Sequence, residues 1–183
     1  MRVISMKGTT IKILLVGPRY SGKGQIGRAW GKTDADLPAL QPVILYDRNV
    51  QHSDVEYRVV AWVLSFDSEF EDLRSCFYKD ADGIIYTTSL AAEHAGSLEK
   101  INGYIEELQQ VLKTNPPAVL VGVVLDESKP ASDDILEQVR GWALESHVEL
   151  FEAHFMDKDQ FNAVVDEVFS TLLKVILPND PSS

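Results

Sequence analysis

Short apolar runs and amphipathic segments alternate along this chain. The runs "IKILLV" and "AVLVGVVL" are almost wholly apolar, which is typical of strands that are buried on both faces of a sheet. Between such runs, apolar residues recur three and four positions apart, as Leu98, Ile101 and Ile105 do, and this spacing places them on one face of a helix. The alternation predicts an α/β fold in which helices cover both faces of a mostly parallel sheet.

The pattern predicts six strands and five helices, with no repeats and no linker. The predicted strands cover residues 11–16, 42–50, 55–66, 83–89, 118–125 and 148–153. The predicted helices cover residues 22–30, 69–78, 97–113, 133–145 and 160–176. In the second helix, Phe70, Leu73 and Phe77 share the helical spacing, and Ser132 is the expected N-cap of the fourth. We therefore expect one domain over residues 1–183.

Charge and cysteine content narrow the possible partners. Twenty-eight acidic residues against seventeen basic ones give a net charge of −11, and no segment gathers basic residues. Such a surface repels polyanions, so we expect no nucleic-acid partner. The single cysteine, Cys76, excludes an internal disulfide and fits a reducing cytoplasm. We expect its side chain to be buried in the second helix.

The two ends of the chain carry no membrane signal. No apolar run approaches the roughly 20 residues of a membrane helix, so the sequence predicts a soluble protein. The second residue is Arg2 rather than a glycine that could be myristoylated, and "LPNDPSS" at the C-terminus has no cysteine for prenylation. We therefore expect no lipid anchor.

The segment "VGPRYSGKG" connects the first predicted strand to the first predicted helix. It contains Gly17, Gly22 and Lys23 in the spacing of a phosphate-binding loop. The glycines let successive backbone N–H groups converge on phosphate oxygens at a helix N-terminus, and the lysine reaches the terminal phosphates. The strand before the loop and the helix after it are the context that this motif requires. The alternative is that the segment forms only a tight turn.

Gly24 stands where a serine or threonine hydroxyl normally binds magnesium. Its N–H can still donate to a phosphate, but the missing hydroxyl removes a metal ligand, so magnesium binding is doubtful. Within the loop, Arg19 and Tyr20 either contact a phosphate, cover the site or face solvent. The loop residues predicted to bind a nucleotide are Gly17, Pro18, Arg19, Tyr20, Ser21, Gly22, Lys23, Gly24 and Gln25.

The order of the elements is that of the Ras-like P-loop nucleotide-binding fold, but other motifs of Ras-like enzymes are altered here. Their Asp-x-x-Gly motif after the third strand aligns with Val63 and Phe66, which cannot bind a metal. Ser68 stands where a glutamine would orient water. We expect Asp67 to be an exposed helix-capping residue rather than a metal ligand through water. These changes predict slow or undetectable hydrolysis, and no catalytic residue is assigned.

The base-reading motif is also reduced. Ras-like proteins read guanine with Asn-Lys-x-Asp after the fifth strand, and here Val123, Val124, Leu125 and Asp126 hold those positions. Asp126 lies at the carboxyl end of a parallel strand, where ligands bind, so it is a candidate for base recognition. The alternative is an ordinary loop carboxylate. Lys129, whose stem can pack on a purine, is a weaker candidate. The predicted ligand is GTP or GDP, with the base preference left open.

Several segments carry a closer resemblance. "KILLVGPRYSGKG", "AW" in the third strand, "KDADGIIYT" and the altered base loop ending in "SKP" resemble the intraflagellar transport protein 22 family of Rab-like small GTPases. This resemblance covers nearly the whole chain. It implies a subunit of intraflagellar transport complex B that docks on the coiled-coil subunits of that complex, in the cytoplasm and in the cilium or flagellum and its base. Gly24 and Val63 depart from the family, where a threonine and an aspartate are expected.

Three hypotheses remain open from the sequence. The first is a GTP-bound or GDP-bound transport subunit with weak or no hydrolysis, and the second is a conventional GTPase switch with a substitute metal ligand. The third is a nucleotide-free pseudo-GTPase adaptor of vesicle-coat assembly. For docking, Phe66, Phe70 and Phe77 are the candidate exposed residues. The alternative is that these phenylalanines fill the space beneath the second helix.

Overall fold

A six-stranded sheet forms the centre of the protein. The computed structural model describes residues 10–33, 41–94 and 96–178. The strands are β1 (Thr10–Val16), β2 (Val43–His52), β3 (Val55–Leu64), β4 (Gly83–Ser89), β5 (Ala118–Val124) and β6 (Glu149–His154). Their order in the sheet is β2-β3-β1-β4-β5-β6, and all neighbours are parallel except the antiparallel pair β2 and β3.

Five helices cover the two faces of this sheet. They are α1 (Lys23–Trp30), α2 (Glu71–Tyr78), α3 (Ser97–Val111), α4 (Asp133–Glu145) and α5 (Lys158–Ile176). Helices α1 and α5 contribute to one core cluster, and α2, α3 and α4 contribute to the other. Two short 3₁₀ turns, Ser68–Phe70 and Ala92–His94, precede α2 and α3. No helix of the described residues is both long and apolar enough to cross a bilayer.

The central strand shows why its sequence is almost wholly apolar. In β1, Ile13 and Leu15 belong to the cluster beneath α1 and α5, whereas Leu14 and Val16 belong to the cluster beneath α2, α3 and α4. All four side chains are fully buried. Because successive side chains of a strand point to opposite faces, a strand covered by helices on both sides has no polar face. The sheet therefore holds the end of β1, and the loop after it, in a fixed position.

The predicted fold class is confirmed: an α/β fold with a mostly parallel six-stranded sheet and five helices. Element boundaries differ by a few residues. Helix α5 begins at Lys158 rather than 160 because the Asp157 carboxylate caps it, accepting from the backbone N–H of Gln160. Ser132 is at the predicted N-cap position of α4, but its side chain makes no capping hydrogen bond. The start predicted for α2 at 69 falls in the 3₁₀ turn.

The buried face of α2 differs from the face predicted by its apolar spacing. Leu73 is 49% exposed, whereas Arg74 and Tyr78 are buried. Cys76 is exposed, so the expectation of a buried thiol is wrong. The helix packs on α3 through Arg74 and Tyr78, and this orientation turns Leu73 and Cys76 outward. The predictions about the chain termini fall on residues 1–9 and 179–183, and most of the predicted loop at 31–41 falls on 34–40. These segments lie outside the described residues.

Candidate functional site

The loop between β1 and α1 depends on two glycines. A Cβ atom at Gly17 would clash with Thr87 Oγ1 and with the Thr87 carbonyl oxygen. Gly22 has a φ of +85°, and a Cβ atom there would lie 2.7 Å from Val123 Cγ1. Real Cβ atoms do not approach so closely, and only glycine adopts a positive φ without strain. The glycine spacing therefore reflects close packing of the loop against β4 and β5.

A buried hydroxyl pair fixes the middle of the loop. Ser21 Oγ and Thr87 Oγ1 are 2.7 Å apart, and Thr87 Oγ1 also donates to the Val16 carbonyl oxygen at 3.4 Å. Both side chains are fully buried. Since buried hydroxyls are costly without partners, this pair stabilises one conformation of the loop. The backbone N–H groups that follow Ser21 are held in place before any ligand binds.

The N-terminus of α1 presents free hydrogen-bond donors. Within the described part of the chain, no group accepts a hydrogen bond from the backbone N–H of any residue from Ser21 to Gln25. These N–H groups lie at or just before the N-terminus of α1, at the carboxyl edge of the sheet, where the positive end of the helix dipole lies. Lys23 adds an ammonium group at the same place. The donors and the close-packed glycines fit the phosphates of a nucleotide.

Lys23 lies across the loop. Its Nζ donates to the Pro18 carbonyl oxygen at 2.9 Å. Burial lowers the pKa of this ammonium to about 8, an effect that the Asp67 carboxylate opposes and the Arg19 guanidinium increases. Asp67 was expected to be an exposed capping residue. It occupies the N-cap position of the 3₁₀ turn before α2, but the residue is half-buried and its side chain makes no capping hydrogen bond. Its carboxylate accepts from Ser65 Oγ at 3.0 Å.

The two bulky residues of the loop face outward, which agrees with the alternative that they face solvent. Arg19 and Tyr20 are exposed. Tyr20 has a φ of 63°, and its ring stacks on His94 with 5.6 Å between the ring centroids. The guanidinium of Arg19 lies 5.2 Å from the centre of the Tyr20 ring. His94 is itself held by Ser89, whose Oγ is 3.0 Å from His94 Nδ1. The aromatic pair therefore joins the phosphate loop to the turn after β4.

The positions where the family resemblance implies metal ligands hold no suitable oxygen. Gly24 is half-buried, and a Cβ atom there would meet nothing within 4 Å. Val63 is buried and packs against the α1 backbone at Gly27. Phe66 packs on Tyr104 of α3, with 3.9 Å between the ring centroids. No group of three His, Cys, Asp or Glu side chains in the described ranges could hold a metal ion. Gly24 and Val63 thus supply no direct magnesium ligand.

The predicted base-binding residues lie at the same edge of the sheet, at the end of β5. Asp126 Oδ1 accepts from the backbone N–H and the hydroxyl of Ser128, at 2.9 and 2.8 Å. The side-chain hydrogen bond from Ser128 is the main reason that the pKa of Asp126 is lowered. Lys129 is paired with Glu93, with Nζ 2.8 Å from Oε2. Base recognition by Asp126 and Lys129 remains a prediction, since both side chains are already bound within the protein.

Sequence reasoning missed the residues after β4 that connect the two loops. Glu93 binds Lys129 of the base loop, and His94 stacks on Tyr20 of the phosphate loop. The backbone bridge between Ala91 and Ala131 strengthens the same connection. No local motif marks these residues. The strand order could have indicated these residues. In a fold of this type β4 lies between β1 and β5, so the turn that follows β4 lies between the phosphate loop after β1 and the base loop after β5.

Comparison with known proteins identifies the family. The sequence model described as "Ras family" matches residues 12–177, from within β1 to the end of α5. A search of curated proteins gives no significant match. Membership of this family implies binding of a guanine nucleotide, and the loop geometry fits the phosphate part of such a ligand. The chain therefore belongs to the Ras family and is a small GTPase domain.

Proposed function

We propose that this protein is a GTP-binding or GDP-binding subunit of intraflagellar transport complex B with weak or no hydrolysis. One observation carries the nucleotide part of this proposal. The N–H groups from Ser21 to Gln25 have no acceptor among the described residues and the ammonium of Lys23 lies in the same loop, which supports a phosphate site, while Gly24 and Val63 contribute no metal ligand beside it. Binding and catalysis are thereby separated, because the cradle needs only donors and phosphoryl transfer also needs charge neutralisation by a metal.

Slow hydrolysis is further supported by the segment between β3 and α2. Ser68, at the position of the water-orienting glutamine, is exposed and lies in the 3₁₀ turn. Arg74 fixes this segment by donating to the Asp67 carbonyl oxygen at 3.4 Å and by pairing with Glu107 of α3 at 3.2 Å. A serine hydroxyl at this site does not replace the amide that positions the attacking water.

The assignment to the transport complex is supported by the family resemblance of the segments quoted above. Phe66, Phe70 and Phe77 are half-buried, and Phe66 and Phe77 pack against the core cluster beneath α2, which favours the alternative that they fill this space. Leu73 and Cys76 are exposed on this helix, together with Glu71 and Asp72 in its first turn. We therefore propose that coiled-coil subunits of complex B dock on the outer face of α2, in the cytoplasm and in the cilium or flagellum and its base.

Two other functions have an observation in their favour. The hydrogen bond from Lys23 to the Pro18 carbonyl oxygen satisfies the lysine without a nucleotide, which favours the nucleotide-free adaptor of vesicle-coat assembly. The half-buried Asp67 carboxylate and the Ser65 hydroxyl near Lys23 favour a conventional switch in which one of these groups is the substitute metal ligand. The proposed function differs from both in retaining nucleotide without rapid turnover.

Nucleotide content and turnover separate these three functions. We expect mass spectrometry of the denatured, purified protein to detect GTP or GDP, and phosphate release to stay near background with and without magnesium. Gly24→Ser restores the missing hydroxyl in open space and should make nucleotide affinity depend on magnesium, while Gly24→Ala should not. Protein without nucleotide would favour the adaptor, and fast magnesium-dependent turnover of the natural chain would favour the switch.

Co-purification from ciliated cells tests the partner. We expect coiled-coil subunits of complex B with the natural chain and a loss of these subunits with Leu73→Glu, which places a charge on the outer face of α2. Leu144→Glu on α4 is the matched control, since Leu144 is 80% exposed and lies on a different helix. Recovery of vesicle-coat adaptors alone would end the transport proposal.

A further inference from the structure

Tyr20 has a backbone conformation that its side chain does not favour. Its φ of 63° lies in the left-handed region, which glycine adopts without strain and a bulky residue rarely adopts. Its side chain is 58% exposed, so burial in the core does not compensate for this strain. Residues held in such conformations cluster at functional sites, where the surrounding contacts maintain the geometry. The strained backbone of Tyr20 therefore points to a function for its ring.

The imidazole of His94 is the ring on which Tyr20 stacks. The two rings are nearly parallel, with an angle of 22° between their planes and 5.6 Å between their centroids. The orientation of the imidazole is fixed by a hydrogen bond, since His94 Nδ1 lies 3.0 Å from Ser89 Oγ. Ser89 is buried in the last position of β4. The sheet therefore holds His94, and the phosphate loop is attached to it through Tyr20.

The turn after β4, which carries His94, is bonded to the base loop on its other side. The backbone N–H of Ser132, beyond the base loop, donates to the Leu90 carbonyl oxygen at 3.0 Å. Glu93 pairs with Lys129 of the base loop, with 2.8 Å between Oε2 and Nζ. Its other oxygen, Oε1, lies 3.7 Å from His94 Nε2. These contacts fix the imidazole relative to the base loop.

In the proposed function, a nucleotide binds the phosphate loop with its phosphates and the base loop with its base. Its affinity then depends on the spacing of the two loops, and loops that are already in place lose less entropy on binding. We propose that Tyr20 and His94 are positioning residues of the nucleotide site, which hold the phosphate loop and the base loop at the spacing that GDP or GTP requires. This inference rests on the proposed nucleotide binding and assigns a role in it to two stacked rings.

Substitutions that remove or retain a ring test the proposal on the full chain. His94→Asn removes the ring and keeps a polar group for Ser89, whereas His94→Phe keeps a ring for Tyr20. Loss of the stack should weaken GDP binding about five-fold in His94→Asn, while His94→Phe should stay within about two-fold of the natural chain. Tyr20→Leu and Tyr20→Phe should repeat this pair of results. Titration with a fluorescent GDP analogue measures all four variants.

The double variant with Tyr20→Leu and His94→Asn shows whether the two rings act together. Since each single variant already removes the stack, the double variant should bind GDP no more weakly than either of them. Losses that multiply would overturn the proposal, because the two residues would then act separately.

Pyrophosphate separates the spacing of the loops from an effect on the phosphate loop alone. It has the phosphates of GDP but no base, so it contacts one loop and does not depend on the position of the other. Its affinity, measured by displacement of the fluorescent analogue, should be the same in the natural chain and in His94→Asn. Equal weakening of GDP and pyrophosphate would overturn the proposal, because the stack would then shape only the phosphate loop.

Tyr57→Leu is the matched control. Tyr57 forms a second tyrosine–histidine pair, with 6.4 Å between its ring centroid and that of His52. This pair lies in the β2–β3 hairpin near the amino end of β1, away from the phosphate loop, so the substitution should leave GDP affinity unchanged. If the natural chain binds GDP and both His94→Asn and Tyr20→Leu bind it equally well, the positioning role is overturned and nucleotide binding stands. Absence of GDP binding by the natural chain would overturn both.

Discussion

At the scale of single residues, the glycines of the phosphate loop divide into those required by packing and one that is not. Gly17 and Gly22 have no room for a Cβ atom, whereas Gly24 faces open space in the first turn of α1. Packing therefore does not explain why position 24 lacks a side chain with a hydroxyl. A side chain would fit there, so the glycine affects chemistry and leaves the fold of the loop unchanged.

Alanine substitutions separate these two kinds of glycine. Gly22→Ala should lower the free energy of unfolding by about 2 kcal/mol, because the new Cβ would have to adopt a positive φ and would press on Val123. Gly24→Ala should raise it by about 0.5 kcal/mol, since alanine favours the helix and meets no neighbour. Urea unfolding with an unchanged m value measures both. Equal effects of the two substitutions would contradict this account of the loop.

Lys23 predicts a pH dependence of nucleotide affinity. Phosphate binding favours the charged ammonium, and in the free chain burial lowers its pKa from 10.5 to about 8. Affinity for GDP should stay level below pH 8 and fall above it, approaching tenfold per pH unit. Lys23→Arg, which keeps its charge, should remove this fall. Titration with a fluorescent GDP analogue between pH 6.5 and 9.5 measures the effect, and parallel curves for the two proteins would exclude Lys23 as the cause.

The lowered pKa of Lys23 has the opposite effect on the stability of the nucleotide-free chain. Between pH 8 and 10.5 the unfolded chain binds the proton that folded Lys23 has lost. The free energy of unfolding therefore rises with pH through this window. Below the window folded Lys23 stays charged, so the full cost of burying its ammonium is present only there. Lys23→Met, which has no titrating group, should abolish this rise in urea unfolding measured across the window.

At the scale of elements, α2 shows how a polar contact can override apolar spacing. The spacing of Phe70, Leu73 and Phe77 predicted the inward face, but Arg74 turns inward to meet Glu107 of α3 with two nitrogen atoms, at 3.3 and 3.2 Å. Tyr78 donates to the same carboxylate at 2.8 Å. A short helix with few apolar residues follows its strongest buried contact, and no pattern within the helix marks a partner 33 residues away.

Removal of the Glu107 charge tests this contact. Glu107→Gln keeps an acceptor for Tyr78 but leaves the buried guanidinium of Arg74 unpaired, so it should cost about 2 kcal/mol of unfolding free energy. Adding Arg74→Met should recover most of that loss. The matched control is Glu152→Gln, which breaks the exposed pair with Arg140 and should cost less than about 0.5 kcal/mol. A similar loss in both single variants would show that Arg74 does not need its partner.

At the scale of the whole molecule, the carboxyl edge of the sheet is assembled from distant segments. The phosphate loop, the turn after β4 and the base loop are connected by the Tyr20–His94 stack and the Glu93–Lys129 ion pair. These contacts organise the site before a ligand binds, which reduces the entropy lost on binding. A nucleotide that bridges the same loops should therefore stabilise the whole domain.

Thermal unfolding measures this stabilisation. GDP at about 100 times its dissociation constant should add about 2.7 kcal/mol and raise Tm by about 8 °C, while ADP at the same concentration should not. Lys23→Ala should abolish the shift, and Lys100→Ala on the exposed surface of α3 should retain it. An equal rise with ADP would show that the base loop, with Asp126 held by Ser128, does not select guanine.

The sequence by itself determined the elements, their order and the phosphate loop. These features depend on local spacing: runs of apolar residues for buried strands, glycines at a turn, and a lysine at the start of a helix. Strand β4 has the predicted bounds, Gly83–Ser89, and every one of its residues is buried. Local spacing could not predict which polar side chains meet.

Only the tertiary structure decided that Asp67 is half-buried near Lys23, that Cys76 is exposed, and that His94 lies beneath Tyr20. The edge-on contact between Tyr86 and Trp142 is a further example, since the two residues lie on a strand and a helix that are far apart in the chain. Each of these facts depends on contacts between segments that the sheet brings together. Apolar patterning sets which faces are buried, while the partners across the interface are set by strand order and register.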